Sequence, residues 1–552
     1  MTNLRPAGYN TGGMPIGESE LAAPRPGVAA GGLARAASLI AVGTVGSRAL
    51  GLVRDVLIAA LFGATSVKSA FVIAYSIPFF IQRLFLGGTL SIVFIPAITQ
   101  LLMRGDEEET RRVVSSTLNL VLLIGLGMAA VGVLAAPLLV PVAAPGYLRT
   151  NPQVLTTAVG LTRVMFISMV FLALSGFATG FLNAHQRFTI PAMAPLAFNV
   201  VIIASVLLLA RDPRVGITGV AASFLLGWAA QFLVQLPAAR QAGLRWRPRV
   251  DITHPAIREM GRLAIPAMLG LAVIEINSNV GRFFASFLPP QPGVDYVAVL
   301  DYAFQLVQAP VGIFAVSLAT ALFPTMARHA AGSAAEALRE TTSLGIRGVL
   351  FTMMPVMTAM IVASHLIVRV IFQRGVFAPA ATHAVALGLV GYAVGTVPYA
   401  AYYIVTRTYY ALHDTRTPVR IGVYMMFLNA LGDFVLMRWL GHTGIALATS
   451  LVAVTNVGWL LWLLRGRLAG VDGRSIVRSA WQTGLAAAAM ATAMVGTLRL
   501  LAPVVDSTRF VGALGELGVV LGAGGLVYLG VCRLAGVREL ALAGALRGGP
   551  GA

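Results

Sequence analysis

The sequence predicts an all-α integral membrane protein of about fourteen transmembrane helices, arranged as two parallel-repeat six-helix bundles followed by two further helices. Three observations carry this. Hydrophobic residues make up 57 % of the 552 positions and charged residues only 11 %, whereas a soluble domain carries roughly 25 % charge. The apolar runs exceed the roughly 20 residues that span about 30 Å of hydrocarbon, so a barrel of ten-residue alternating strands is excluded. A short loop motif also returns about 225 residues after its first appearance.

In chain order the apolar segments are 36–62, 69–99, 113–143, 154–182, 189–210, 216–239, 263–288, 297–327, 345–373, 381–411, 419–440, 443–464, 479–503 and 510–536. The first six define an N-terminal bundle over 34–240, and the next six a C-terminal bundle over 241–467. Two extra helices follow within 468–540. Residues 1–33 are rich in Gly, Pro and Ala and lack the apolar core of a signal peptide, so they read as a disordered cytoplasmic tail. A second short tail occupies 541–552.

Charge sets the orientation. The formal charge of +19 comes from 40 basic and 21 acidic residues, and Lys68 is the only lysine. With the N-terminus inside, inner loops and tails hold about 25 arginines against about 9 basic residues outside, so both termini are expected in the cytoplasm. The densest inner loop holds Arg240, Arg245, Arg247, Arg249, Arg258 and Arg262. Dispersed between apolar runs, this charge is not the footprint of a nucleic-acid binder. The one cysteine, Cys532, has no partner for an intrachain disulfide.

The repeat pairs Asn183-Ala-His-Gln-Arg-Phe-Thr-Ile-Pro191 with Ala411-Leu-His-Asp-Thr-Arg-Thr-Pro418, and Thr218-Gly-Val-Ala221 with Thr443-Gly-Ile-Ala446. An offset of six helices is even, so the halves are related by an axis along the membrane normal. Transporters of this build bind substrate between their halves and rock them.

Ionisable groups inside apolar segments are the functional candidates, because burying them in hydrocarbon is costly. Segment 1 holds Arg48, Arg54 and Asp55, and segment 2 holds Arg83. Arg48 lies roughly 18 Å into its segment at 1.5 Å per residue. It shares a face with Asp55, while Arg54 sits about 120° round. Three arginines beside one acid make a cationic pocket suited to a phosphate or pyrophosphate; the alternative is a structural role, with the arginines tied to backbone carbonyls or to Asp55. The second bundle contributes Glu275, Arg282, Asp301, Arg407 and Asp433. Arg282 and Asp301 are placed to pair across segments 7 and 8. Asn429 and Asp433 are four residues apart on one helix face, with Thr449 as a third oxygen; this set reads either as cation ligands or as an interhelical hydrogen-bonded group.

The sequence lacks a Walker A loop, an HExxH or paired Cys/His metal motif, and a G-x-S-x-G elbow. ATP is therefore not the expected direct energy source, no cofactor is expected, and a transporter is favoured over an enzyme.

Further motifs give a family resemblance. Gly46-Ser-Arg48-Ala-Leu-Gly-Leu-Val-Arg54-Asp55, Leu61-Phe-Gly63, Ala70-Phe-Val-Ile-Ala-Tyr-Ser-Ile-Pro78, Arg83-Leu-Phe85 and Phe94-Ile-Pro96 resemble the opening of the MurJ (MviN) family of lipid II flippases. Asn183 to Pro191, Ala192-Met-Ala-Pro195, Asn199, Phe284-Ala-Ser286, Phe323-Pro324 and Asp414 to Pro418 extend the likeness along the chain. The resemblance implies a MATE-like fold of the MOP superfamily. It implies transfer of an undecaprenyl-pyrophosphate-linked peptidoglycan precursor across the bacterial cytoplasmic (inner) membrane. Membrane lipids and cell-wall synthesis proteins are the further partners it implies. Arg48, Arg54 and Arg83, with Asp55, match its substrate-binding positions, and Asn429, Asp433 and Thr449 match the sodium site of some members. Coupling to Na+ or to membrane potential follows from that resemblance. Four positions depart from the family: Ser69 replaces an acidic residue, Gly87-Gly88 a Glu-Gly pair, Gln305 a substrate-binding arginine and Gly281 an aspartate. Export of another polyprenyl-linked glycan, small-molecule antiport and a non-transporting scaffold stay open as alternatives.

Overall fold

The computed structural model describes residues 26–85, 94–248, 250–262, 279–332, 334–468, 470–506 and 509–540. Among them the chain is helical throughout, without a β-ladder. The N-terminal bundle comprises α1 (Pro26–Phe62), α2 (Ser66–Phe85), α3 (Ile95–Arg104), α4 (Glu107–Ala143), the single turn α5 (Tyr147–Thr150), α6 (Pro152–Ala184), α7 (Thr189–Leu209) and α8 (Gly216–Gln241). The C-terminal bundle continues with α9 (described over 279–285), α10 (Tyr296–Pro310), α11 (Val316–Ala331), α12 (Ala335–Val362), α13 (Ser364–Phe372), α14 (Pro379–Ala393), α15 (Thr396–Ala411) and α16 (Arg416–Arg467). Then come α17 (Gly473–Leu501) and α18 (Phe510–Leu534).

Nine described helices are long and apolar enough to cross a membrane, and ten if α14 and α15, bent by 44°, form one span. The 52 residues of α16 contain two crossings broken at Gly441, whose φ of 58° and ψ of −137° no helix accommodates. With α1, α2 and the described part of α9 added, the helices are consistent with the fourteen predicted segments, of which 86–93 and 263–278 lie outside the described residues. One boundary moves: α1 begins at Pro26, inside the stretch read as a tail. A proline in the first turn and the alanines after it favour helix even without an apolar run.

The repeat has a backbone counterpart. Gln186 and His413 both adopt φ of 56°, a left-handed conformation uncommon outside glycine. In each loop the following amide reaches back five residues, Arg187 N to Leu182 O and Asp414 N to Tyr409 O, both at 2.9 Å. The two half-chains thus end corresponding helices with the same C-terminal closure.

The helix starts are sequence-coded. Asp106 caps α4 by accepting from Glu109 N at 2.9 Å, and Glu107, Glu108 and Glu109 fill the first turn, where the helix dipole favours negative charge. The acidic run is therefore a helix start as well as a solvated loop.

Between the bundles, residues 242–248 and 250–254 are fastened along α4. Ser115 Oγ donates to Arg245 O at 3.0 Å, Asn119 Nδ2 to Arg247 O at 2.6 Å, and Trp246 Nε1 to Asn119 Oδ1 at 2.9 Å. Arg112 pairs with Asp251, and His254 Nε2 approaches Glu109 Oε1 at 3.4 Å. The Thr253 hydroxyl, then Arg112, lowers the Asp251 pKa to about 2. A depressed carboxylate pKa stabilises the folded state above the unfolded value and loses that contribution as pH falls toward 2. Protection of the 244–253 amides against hydrogen exchange, corrected for intrinsic rates, is expected to be unchanged from pH 7 to pH 4 and lost in Asp251→Ala. Equal protection in the variant would show that the clasp does not hold the linker.

Two apolar cores organise the bundles. One joins α10–α16 around Tyr302, Val349, Phe372, Val385 and Leu460. The other packs Ile58, Phe71, Val140 and Leu161 of the N-terminal bundle against Val297, Leu300, Ile445 and Ala446 of the C-terminal one. A separate cluster of Met490, Met494, Val520 and Tyr528 seats α17 and α18 beside α12, where Tyr528 Oη donates to Phe351 O at 2.8 Å.

Candidate functional site

The two bundles are clasped at the end that the charge count assigns to the outside. Asp295, the N-cap of α10, accepts from Ser66 Oγ at 2.8 Å and Ser69 Oγ at 2.6 Å, and also from the Tyr147 hydroxyl. Asp295 N donates to Ala64 O at 2.7 Å, and Val376 N to Ala60 O at 2.8 Å. These backbones approach so closely that a β-carbon at Gly146 or Gly375 would meet backbone atoms at 2.3 Å. Leaving aside the 242–254 linker, the bundle-to-bundle hydrogen bonds and ion pairs found among the described residues all lie in this half.

Ser69, which replaces an acid of the family, thus serves a carboxylate supplied by the opposite bundle. Asp295→Ala removes three hydroxyl contacts and a helix cap. A net loss of about 1–2 kcal/mol shifts a two-state balance by roughly 5- to 30-fold. Labelling of a cysteine placed at Ala64 by an impermeant thiol reagent is expected to rise accordingly. Unchanged labelling would show that Asp295 does not hold this end shut.

Nearly two turns further along α10 lies a buried charge network. Asp301 Oδ1 accepts from Tyr75 Oη at 2.7 Å and Arg282 Nη2 at 3.2 Å. Its Oδ2 accepts from Gln305 Nε2 at 2.9 Å and Lys68 Nζ at 3.4 Å. The Arg282–Asp301 pair expected from sequence therefore forms, but Lys68 and Tyr75 of the opposite bundle complete it. Gln305, placed by the resemblance among the substrate contacts, is engaged with Asp301.

The segment-1 arginines divide. Arg54 is held inside its own bundle: Nε and Nη2 meet Asp55 Oδ1 at 2.9 Å, and Nη1 donates to Asn199 Oδ1 at 3.3 Å. Its guanidinium also lies 5.3 Å from the Phe224 ring centre. Arg48 is exposed and has no hydrogen bond or ion pair among the described residues. It reaches across to the C-terminal bundle, where a β-carbon on Gly312 would stand 2.9 Å from Arg48 Nη1. Gly312 belongs to the π-helical turn Val311–Ala315 that follows Pro310, a local irregularity often found at functional positions. Neither Gly312 nor Lys68 was singled out for a role by sequence, although Lys68 stood out as the sole lysine. Arg83 lies on α2, but its side chain falls outside the described residues, as do Glu275, Gly87 and Gly88.

Asn429 and Asp433 are brought together and fully buried, with Asn429 Nδ2 donating to Asp433 Oδ2 at 3.3 Å. Asn429 Oδ1 and Asp433 Oδ1 have no hydrogen-bond partner among the described residues. Two buried oxygens left without donors are the state that a bound monovalent cation relieves, so this pair fits such an ion. Thr449 Oγ1 donates to Ile445 O at 3.3 Å, and Gly281 has no side-chain oxygen to offer.

Comparison with known proteins agrees along the chain. The family model described as lipid II flippase MurJ matches residues 58–514. The chain is 30% identical over 518 residues to a probable lipid II flippase MurJ of Vibrio cholerae, covering 92% of this chain and 97% of that one. It is 28% identical to the lipid II flippase MurJ of Burkholderia cenocepacia, over 77% and 82% of the respective chains. Among solved structures it resembles a lipid II flippase MurJ in an inward closed conformation, with a TM-score of 0.75, 24% identity and coverage of 91% and 99%. A multidrug resistance MATE family transporter of the MOP superfamily in an inward-facing conformation shares the fold, with a TM-score of 0.63, 13% identity and coverage of 76% and 94%.

Proposed function

Because the chain belongs to the MurJ family of lipid II flippases, we propose that it carries lipid II from the inner to the outer leaflet of the bacterial cytoplasmic membrane by alternating access. It is a multi-pass membrane transporter rather than an enzyme. Both termini face the cytoplasm in this reading, which rests on the arginine distribution. The supporting observation is the Arg48 guanidinium, unpaired among the described residues, spanning from α1 to Gly312 of the opposite bundle, while the far end is clasped. A planar, permanently charged donor there suits the diphosphate of a lipid-linked precursor. Arg54, oriented by Asp55, extends the basic lining, and Arg83 of α2 is the third arginine that the family resemblance assigns to the substrate. Opening of the Asp295 clasp as the inner end closes then delivers the head group outward.

Asn429 and Asp433 would hold Na+, whose charge would compensate the buried carboxylate and couple transport to an ion gradient; membrane potential adds to the drive. Cell-wall synthesis proteins that consume the exported precursor are the natural partners.

The test is reconstitution. Vesicles holding lipid II in both leaflets are expected to expose the inner pool to an impermeant labelling reagent only when the wild-type chain is present. Movement of a cationic drug without movement of lipid II would overturn the reading in favour of an antiporter.

A further inference from the structure

Asp301 is one carboxylate facing two cations. Lys68 is locked in place: its side chain is 4% exposed, and its ammonium lies 5.3 Å from the Phe71 ring centre and 5.0 Å from that of Tyr302. Arg282 is the looser partner, 22% exposed, with its guanidinium 5.6 Å from the Tyr75 ring centre and Nη1 donating to Asn279 Oδ1 at 3.0 Å. The network therefore carries one surplus positive charge, and Arg282, which also donates to Tyr75 Oη at 3.2 Å, is the less buried of its two cations and the one with room to turn away. If Arg282 leaves, Lys68 and Asp301 remain a balanced pair, with Tyr75 and Gln305 still donating to the carboxylate. A guanidinium with an internal stand-in anion is ready to exchange it for a diphosphate, which offers more oxygens in bidentate geometry.

We propose that Arg282 is the C-terminal bundle's substrate-gripping cation, and that Asp301 occupies it until the lipid diphosphate arrives. This rests on the lipid II reading above and adds a second station to it. Arg48 lies against Gly312, roughly 16 Å along the α10 axis from Asp301. A diphosphate moving outward meets Arg48 first and Arg282 second. Its arrival removes Arg282 from a contact that also involves Tyr75 of the other bundle, so substrate binding itself loosens the outer half. Gln305, beside Asp301, supplies a neutral amide where the family resemblance places an arginine, and Arg282 provides the missing charge from the neighbouring helix.

The experiment titrates the purified full chain in lipid nanodiscs with undecaprenyl diphosphate. Arg282→Gln is expected to weaken binding about tenfold or more, the equivalent of one charge-assisted hydrogen bond. Asp301→Asn is expected to tighten it, because the competing anion is gone. A role for Arg282 confined to holding the bundles together predicts the same direction for both variants, since each breaks the same ion pair; that result would overturn the proposal. Should Asp301→Asn not fold, Tyr75→Phe loosens Arg282 without changing any charge and is expected to tighten binding; weakening there counts against the proposal. Wild-type binding with Arg282→Gln unaffected removes the proposal alone. Absence of saturable binding by the wild type removes the lipid-diphosphate reading and the proposal with it.

Discussion

Replacing Arg48 by Ala is expected to abolish lipid II flipping while leaving the protein as abundant and as heat-stable as the wild type. The two halves of that expectation come from one feature. Arg48 is exposed and makes no ion pair or hydrogen bond among the described residues, so its truncation strands no buried partner. Such surface-like changes usually stay within about ±0.5 kcal/mol. Function is another matter, because no described group near Gly312 replaces the charge. Losing the charge-assisted bonds to a diphosphate removes about 1.5–3 kcal/mol per bond, and a bidentate grip loses two. The contrast with Arg54 sharpens the point. Arg54→Ala leaves Asp55 without its cation and Asn199 Oδ1 without a donor, so it is expected to lower stability as well as activity. Thermal unfolding in detergent, read beside flipping in vesicles, separates the two arginines. Equal stability losses would contradict the division of roles.

The second large effect is expected from the double variant Asn429→Leu/Asp433→Leu. Both residues are buried, and each keeps an oxygen without a hydrogen-bond donor among the described residues. Replacing a buried, incompletely satisfied polar pair with apolar groups of similar size is often neutral or stabilising by about 1–4 kcal/mol. The unfolding midpoint is therefore expected to hold or rise. Transport driven by an imposed sodium gradient is expected to disappear, because the oxygens proposed to hold the ion are gone. Full sodium-driven activity in a stable double variant would remove the ion from this position and leave membrane potential as the drive.

The fold was legible in the sequence because the membrane imposes it. Length of apolar run and the Asn183/Ala411 repeat each leave marks along the chain, and each has a counterpart in a helix or in the matched closures at Gln186 and His413. The site was legible in part. A charge inside an apolar run announces itself, so Arg48, Arg282, Asp301 and Asp433 were visible. Which charges meet depends on packing between helices far apart in sequence. Lys68 and Asp301 are 233 residues apart, and nothing local to either encodes the pairing. Asp295 stood in an ordinary polar loop, where a bundle clasp and a solvated carboxylate look alike. Gly312 is one of 59 glycines, and its place under a guanidinium depends on the opposite bundle. Thr449 matches a family position and Gln305 departs from one, and here Thr449 bonds backbone and Gln305 bonds Asp301.

Export of lipid II through a path that needs Arg48, as proposed, is open to direct test in the cell. The most direct measurement depletes the chain from the bacterium that carries it and restores either the wild type or Arg48→Ala, with lipid II accessible from outside the cytoplasmic membrane as the readout. Accessible lipid II is expected to fall on depletion, to return with the wild type and not to return with an equal amount of folded Arg48→Ala. Accessible lipid II that stays constant on depletion, or that Arg48→Ala restores in full, would contradict the proposal.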